Sequence, residues 1–391
     1  MTSFQKLLFP PLPVSVKKTL GEIPSLIDKV FPMPGRFRHA LPANIAELSR
    51  LLTSGRGERG LSYLNHPPFL SAYLRYFFPW NLYRLCRLLV SLDLHLKAND
   101  CITDLGSGSL TLVSALWISR PELRTLPLEF RCIDLSGPAL EAGKKFFAAL
   151  CAGNNNWTVH TIKGEIGRVK AKPASLVCAV NVLNEMFGDL SRSGSHNMTY
   201  NAAKTVRLLK EYGLASSSVL AIEPGVPHCG EFLSALRSRL MENSFTILSP
   251  CPHGNACPFP GGKSASGKNR WCHFAFPTDD APQPLHKLSK DAKLPKERAV
   301  LSFLYAESSS AKKQKDLPKD LKKELPARII SDAVNLPENR HGRYGCSAQG
   351  LVLLTGEKNQ IKNIPSGFFI NTQSKGERDP KSNALIVYSL K

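Results

Sequence analysis

Three cysteines and two histidines fall between Pro250 and Phe274, in a stretch punctuated by prolines and glycines. It runs Pro250-Cys251-Pro252-His253-Gly254-Asn255-Ala256-Cys257-Pro258, crosses a Gly/Ser/Lys loop, and ends Trp271-Cys272-His273-Phe274. Proline keeps the backbone extended beside Cys251 and Cys257, and glycine lets it fold back. Thiols gathered in this way are the usual ligands of zinc or of an iron–sulfur cluster. Cysteines acting only as small buried apolar residues would be spread along strands and helices instead. A nucleophilic role for Cys251, as in enzymes that methylate cytosine C5, is disfavoured by its three companion cysteines.

A fourth ligand is needed. Gly342-Arg343-Tyr344-Gly345-Cys346-Ser347 reads as another glycine-rich turn, just ahead of the apolar run Leu351-Val352-Leu353-Leu354. Cys251, Cys257, Cys272 and Cys346 together would make an all-thiolate site that pins the C-terminal segment to the central domain. A zinc site would instead take His253 or His273 in place of Cys346. Spacing does not choose between them, because neither the short C-x2-C pairs of zinc ribbons nor the usual ferredoxin runs are present.

A second set of residues suits a nucleoside. Asp100-Cys101-Ile102-Thr103-Asp104-Leu105-Gly106-Ser107-Gly108-Ser109 reads as a strand closing in a glycine turn, followed by a helix over Leu110 to Ile118. Gly106 permits the tight turn and Gly108 lets a ligand approach the backbone. The next strand, Leu128 to Asp134, ends on a carboxylate that can accept both hydroxyls of a ribose. Asp104 precedes the turn and would orient it. A fourth strand, Ser175 to Val180, leads into Asn181-Val182-Leu183-Asn184-Glu185-Met186-Phe187, whose polar residues lie at the carboxyl edge where open α/β sheets bind ligands. Capping of the next helix is the competing use for them.

The elements that must hold these residues follow from composition and pattern. With 391 residues, 42% of them hydrophobic, the chain is long enough for two or three domains. Residues 1–97 read as an N-terminal helical region, with leucines at helical spacing near Asn44 to Leu52 and again over Asn81 to Leu94. A further helix over Pro68 to Phe78 is expected to stop at Pro79. Its Tyr73, Tyr76 and Phe77 suit a packed core better than base stacking. Residues 98–249 alternate short apolar runs with helical patterns, as a parallel sheet with crossover helices does. Residues 250–276 form the Cys-rich loop, and residues 277–391 combine a lysine-rich segment, in which Ala299 to Tyr305 reads as a buried strand, with a small β module suggested by Arg328 to Ile330, Leu351 to Leu354 and Ala384 to Tyr388. The lysine runs Lys312-Lys313-Gln314-Lys315 and Lys319 to Lys323 read as solvated chain.

The net charge of +20 favours polyanionic partners, nucleic acid first and an anionic membrane surface second. No apolar run reaches roughly 18 residues, so no spanning helix is expected. Leu7-Leu8-Phe9, ended by Pro10, is too short for the core of a signal peptide, so reduced cytosolic thiols fit the ten cysteines better than disulfides. The expected location is therefore cytoplasmic. A mitochondrial presequence is the alternative: Lys6, Lys17 and Lys18 precede the first acid, Glu22, although no arginine occurs before Arg36.

Asp104-Leu105-Gly106-Ser107-Gly108, together with Asp134 and the helix start Ser136-Gly137-Pro138, resembles the S-adenosylmethionine-binding sheet of class I methyltransferases. Leu110 departs from it, standing where that family often has a third glycine. With Val182-Leu183-Asn184-Glu185, Glu223-Pro224-Gly225, Pro250-Cys251-Pro252-His253 and Trp271-Cys272-His273-Phe274, most of the chain resembles the Rsm-type, methyltransferase-like family whose mitochondrial members assist assembly of the small ribosomal subunit. The resemblance implies a class I methyltransferase fold, S-adenosylmethionine held by Asp104, Gly106, Gly108, Asp134 and Asn181, and binding of a monomer to small-subunit rRNA. It also implies a [4Fe–4S] cluster, with zinc as the alternative, on Cys251, Cys257, Cys272 and Cys346. The Asn-Pro-Pro-aromatic tetrad of many amino-group methyltransferases is missing after the fourth strand. A non-catalytic RNA-binding assembly factor on a degenerate methyltransferase fold is therefore the rival expectation.

Overall fold

A computed structural model describes residues 6–53, 55, 63–153, 155–186, 195–263, 269–308 and 324–389. Arg56, Arg59, Phe187 and the lysine runs after Ser308 lie outside the described residues. The chain divides into two units. The N-terminal unit comprises Pro10–Asp189 and Pro277–Ala299; the C-terminal unit comprises Met1–Phe9, Leu190–Phe276 and Val300–Lys391. No described helix is long and apolar enough to cross a membrane.

The N-terminal unit begins with α1 (Val14–Val30), α2 (Gly35–Arg38), α3 (Leu41–Leu52) and α4 (Pro67–Ala72). A π-helical turn, Tyr73–Phe77, carries the chain from α4 into α5 (Phe78–Leu89). Pro79 does not stop a helix, contrary to expectation. The chain stays helical through it, and the π-helical turn just before it accommodates the ring and the missing N–H. Strands β1 (Cys101–Leu105), β2 (Leu128–Asp134), β3 (Trp157–Lys163) and β4 (Ala174–Val180) follow, with α6 (Thr111–Ser119) and α7 (Gly137–Cys151) between them and α8 (Leu183–Met186) after β4. Their order is β3-β2-β1-β4, and every pair is parallel. Ile102, Leu105, Phe130, Ile133, Leu176 and Val177 are buried, as expected of strands covered on both faces.

The C-terminal unit continues with α9 (Ser195–Tyr212), β5 (Gly213–Pro224), α10 (Pro227–Glu242), β6 (Phe245–Ser249), the hairpin β7 (Pro260–Lys263) and β8 (Asn269–Trp271), and β9 (Phe274–Pro277). The chain returns to the N-terminal unit for α11 (Gln283–Asp291). A polar network ties this helix segment to α5. The Tyr83 hydroxyl donates to Asp280 Oδ1 at 2.6 Å, Arg87 Nη1 reaches the same oxygen at 3.1 Å, and Lys17 Nζ lies 3.4 Å from Oδ2. Burial works to raise the Asp280 pKa, but Tyr83, Arg87 and Lys17 outweigh it and hold the carboxyl below its ordinary range. Its stabilising contribution is therefore present above the ordinary carboxylate pKa of about 4 and is lost as pH falls below it. Asp280→Asn is expected to cost about 2 kcal/mol near neutral pH and progressively less as pH is lowered below about 4, measured by urea unfolding over that range.

Strand β10 (Arg298–Ser308) returns to the C-terminal unit and lies between β5 and β6, antiparallel to both. The chain then closes a barrel from β11 (Leu325–Ile329), β13 (His341–Ser347), β14 (Gly350–Gly356), β15 (Phe369–Arg378) and β16 (Leu385–Ser389), with the short β12 (Val334–Asn335) beside β13 and α12 (Lys358–Lys362) between β14 and β15. The order is β11-β15-β16-β14-β13, and a β11–β13 pairing closes it. Only β14 and β16 pair in parallel. This connectivity, with a helix after the third barrel strand, is that of an OB-type barrel. Leu325, Ala327, Ile329, Val352, Leu354, Leu385 and Val387 fill its interior. Cys346 sits within β13, not in a turn: the neighbouring glycines serve close packing, since a Cβ on Gly345 would stand 2.9 Å from the Arg328 carbonyl.

Candidate functional site

The glycine turn after β1 is held from two sides. Gly106 has φ +70°, and a Cβ there would lie 2.3 Å from Val182 Cγ2, so the residues after β4 close directly onto the turn. Gly106 and Ser107 N–H both donate to the Ile133 carbonyl, at 2.8 and 3.1 Å. At the end of β2, Asp134 Oδ2 accepts from Gly108 N–H and Oδ1 from Ser136 N–H, each at 2.8 Å. Each carboxylate oxygen keeps a second lone pair for a ligand hydroxyl. Burial raises the Asp134 pKa, opposed by these two hydrogen bonds. Gly106→Ala is expected to destabilise the chain by about 3 kcal/mol in thermal unfolding, since it adds a left-handed non-glycine residue and a clash with Val182.

Asp104 lies beneath the turn, 1% exposed, and neither carboxylate oxygen has a hydrogen-bond partner among the described residues. Ser107 Oγ donates to the Asp104 carbonyl at 2.8 Å. Burial, assisted by the charge of Asp134 and opposed by Ser107, pushes the Asp104 pKa up to about 7. Leu110 adopts φ 56° at the start of α6 and is fully buried, so the position that suits glycine carries about 1–2 kcal/mol of backbone cost against the burial its side chain gains. Asn181, also left-handed at φ 56°, accepts from Arg84 Nη2 at 2.7 Å.

Two residues of the helical region reach this site: Arg84, which sequence reading did not assign to it, and Tyr73, which was expected in a packed core. Arg84 also donates to Asn81 Oδ1 at 3.0 Å. The Tyr73 hydroxyl, hydrogen-bonded to Thr111 and Asn81, stands 3.6 Å from where a Gly108 Cβ would be, and burial raises its pKa to about 12. The π-helical turn is the local feature that aims Tyr73; such turns often occur at functional sites, but no sequence pattern distinguishes them.

In the C-terminal unit the cysteines of the loop and of the barrel lie near enough to feel one another's charge, with His253 of the loop 2.9 Å from Cys346 Sγ of the barrel. Cys346 senses the charges of Cys251, Cys257 and Cys272, and Cys272 those of Cys257 and Cys251. Burial first, and this mutual repulsion second, push the Cys272 and Cys346 thiols up. Burial also raises Cys251, with Arg237 opposing it. Four thiolates cannot share such a pocket without a cation. Among the described residues, no three His, Cys, Asp or Glu side chains already stand as a metal-holding group.

Two buried arginines flank the thiols. Arg237 Nε donates to Cys251 Sγ at 3.2 Å and Nη2 to the His253 carbonyl at 2.8 Å. Arg328 donates to the carbonyls of Pro250 and Gly367, at 3.1 and 3.0 Å, and feels the charges of Cys251 and Cys346. Sequence reading missed both roles. A signal was available for Arg237, which falls among Leu233, Leu236 and Leu240 on the buried side of α10. His253 Nδ1 accepts from Asn255 N–H at 3.1 Å, which leaves Nε2 to carry the proton and donate to Cys346 Sγ at 2.9 Å. Burial and Arg237 press the His253 pKa down to about 4, so the ring is neutral. Both its nitrogens are engaged. His273 stacks on Trp271, with ring centroids 4.6 Å apart.

A parallel β3-β2-β1-β4 set with a glycine turn after β1 and an acid ending β2, and a second set in which β10 runs antiparallel between β5 and β6, define a class I methyltransferase-type α/β chain. The family model described as Rsm22, mitochondrial small ribosomal subunit Rsm22, matches residues 72–338, and the chain belongs to that family. No curated protein sequence matches it. Among solved structures, a SAM-dependent methyltransferase from Thiobacillus denitrificans in complex with S-adenosyl-L-homocysteine is 14% identical, over 59% of this chain and 92% of that one, with a TM-score of 0.34. A putative class I S-adenosylmethionine-dependent methyltransferase from Listeria monocytogenes is 11% identical over 78% and 90%, with a TM-score of 0.33. A SAM-dependent methyltransferase from Geobacter sulfurreducens is 13% identical over 67% and 97%, with a TM-score of 0.32. Scores of this size add nothing to the topology.

Proposed function

We propose that this chain is a mitochondrial, rRNA-binding, S-adenosylmethionine-dependent methyltransferase-like protein of small-subunit assembly, with a structural [4Fe–4S] cluster. Mitochondrial is preferred to cytoplasmic on the description of its family. The observation that carries the reading is the meeting of Cys251, Cys257, Cys272 and Cys346, from separate stretches of the C-terminal unit, within reach of one another's charge. An all-sulfur donor set suits iron–sulfur chemistry. Arg237 and Arg328 would offset the negative charge of the thiolates, and His253 and Arg237 would donate hydrogen bonds to ligand sulfurs.

In the N-terminal unit, Asp134 would accept the ribose hydroxyls, while Gly106 and Gly108 leave room against the backbone and Arg84 steadies Asn181. S-adenosylmethionine, when bound, supplies an electrophilic methyl group. The residues around it have only to orient it and exclude water, since positioning accounts for much of the rate in such transfers. Methyl transfer from labelled S-adenosylmethionine to immature small subunits tests the activity. Label on the rRNA is expected. The second reading, a non-catalytic assembly factor, is favoured by buried, left-handed Leu110 at a glycine position. Repeated absence of label with subunit binding intact would establish it.

A further inference from the structure

One surface of the N-terminal unit has no part in either site. From Lys29 to Ala46 the chain carries Lys29, Arg36, Arg38 and His39 and not one acid. Within it, the knuckle Gly35–Arg38 exposes Phe37 to 51%, with Arg36, Arg38 and His39 exposed beside it. The Arg36 guanidinium lies 4.9 Å from the centre of the Phe37 ring. A single exposed phenylalanine is unremarkable by itself. Here it lies in a strip of one charge sign, and its neighbour Arg38 lines a cleft of about 350 Å3. The cleft joins an apolar floor, including Ile27 and Leu285, to a rim of Arg38, Arg75 and Lys287. Its acids are Asp28, which lies 3.4 Å from Arg75 Nε, and Asp291.

A protein partner that buried Phe37 would have to leave Arg36, Arg38 and His39 matched by its own acids. A nucleic acid supplies the complement in one piece: phosphates for the guanidinium groups and a flat base for the ring. Duplex RNA hides its bases in the stack, whereas a single strand offers them. We propose that the Arg36–Phe37–Arg38 knuckle binds single-stranded RNA, stacking one base on Phe37 with the backbone along Arg36 and Arg38 and the next nucleotide entering the cleft. The site rests on the reading of rRNA as partner and names the surface that reads it.

The test is fluorescence anisotropy of the full chain with a short mixed-sequence single-stranded RNA and with the corresponding duplex, over a salt series. Phe37→Leu keeps an apolar side chain but loses the aromatic face. It is expected to weaken single-strand binding about tenfold and leave duplex binding unchanged. Arg36→Gln with Arg38→Gln should lower the slope of log affinity against log salt by about 1.4, or 0.7 for each phosphate contact. Lys144→Gln with Lys145→Gln, an equal charge loss from the exposed side of α7, should change single-strand affinity less than twofold. If the parent chain binds RNA and the knuckle variants bind equally well, this site is wrong and the rRNA reading stands. If the parent chain binds no RNA, the rRNA reading itself fails. If the variants lose small subunits but keep bare RNA, the knuckle contacts a protein and the assignment to RNA is overturned.

Discussion

If the four cysteines hold the proposed cluster, Cys346→Ser is expected to strip most of its iron and to lower stability by about 4 kcal/mol or more, the range reached when a bound metal is lost. Serine is a discriminating replacement here. Its hydroxyl can still accept the hydrogen bond that His253 Nε2 now makes to the sulfur, so the local polar contact survives while the metal ligand does not. The effect should extend beyond the pocket. Cys346 lies on β13, paired with Arg328 of β11 and Leu351 of β14, so the ligand belongs to the barrel wall. Polar contacts between the barrel and the cysteine loop include Arg328 to the Pro250 carbonyl and Asn255 to the Ala348 carbonyl at 2.8 Å. Loss of the proposed cluster bridge should make the segment between Leu325 and Ser389 sensitive to proteolysis. Cys178→Ser, in a buried strand of the N-terminal unit, serves as the control and should leave iron content unchanged. Iron measured per chain, with a urea titration, checks both statements.

Asp104→Asn is expected to stabilise the cofactor-free chain, increasingly so as pH rises. The native carboxyl has its pKa raised to about 7 from 3.8, so it keeps its proton in the fold over a range where the unfolded chain has lost it. Stability from this group is therefore unaffected below about pH 4 and declines between about pH 4 and 7. Above that the full cost of ionising a buried carboxyl is present. A shift of about three units corresponds to about 4 kcal/mol, a large share of the total for a domain. Asparagine does not titrate and removes this slope. Unfolding curves at pH about 4.5 and 8 should show wild type and variant diverging by several kcal/mol at the higher pH. Parallel behaviour at the two values would mean that Asp104 ionises freely, through a water or ligand contact. The same variant should bind S-adenosylmethionine more weakly if the carboxylate is part of its site. Stability gained with affinity lost is the pattern expected of a strained functional group.

Much of the nucleoside-type site was legible in sequence because its chemistry is local. Gly106 and Gly108 sit at positive φ where a strand must turn, and Asp134 ends the next strand one crossover later. The cysteine loop was legible for a similar reason, its prolines and glycines marking irregular backbone. What remained hidden depends on distant pairings. Gly342 and Gly345 look like turn formers, yet a Cβ at Gly342 would meet Leu353 Cδ1 at 2.8 Å, and both lie in a strand. The barrel closes through Arg328 opposite Cys346, a register that periodicity cannot supply. The roles of Arg237 and Arg328 stayed hidden because an arginine on an apolar face acquires meaning only once its partner is known. Pro79 was read as a stop, but the π-helical turn ahead of it, which no sequence pattern distinguishes, lets the helix continue. Tyr73 was assigned to the core on helical spacing, and only the π-helical turn reveals that it faces the glycine loop.

Anaerobic purification of the full chain, followed by iron, zinc and sulfide determination and a visible absorption spectrum, addresses the four-thiol centre most directly. About four irons per chain with matching sulfide, and a broad visible charge-transfer band that disappears in Cys346→Ser, are the expected results. Stoichiometric zinc with no iron, or a fully folded chain holding neither metal with all four cysteines open to alkylation, would contradict it.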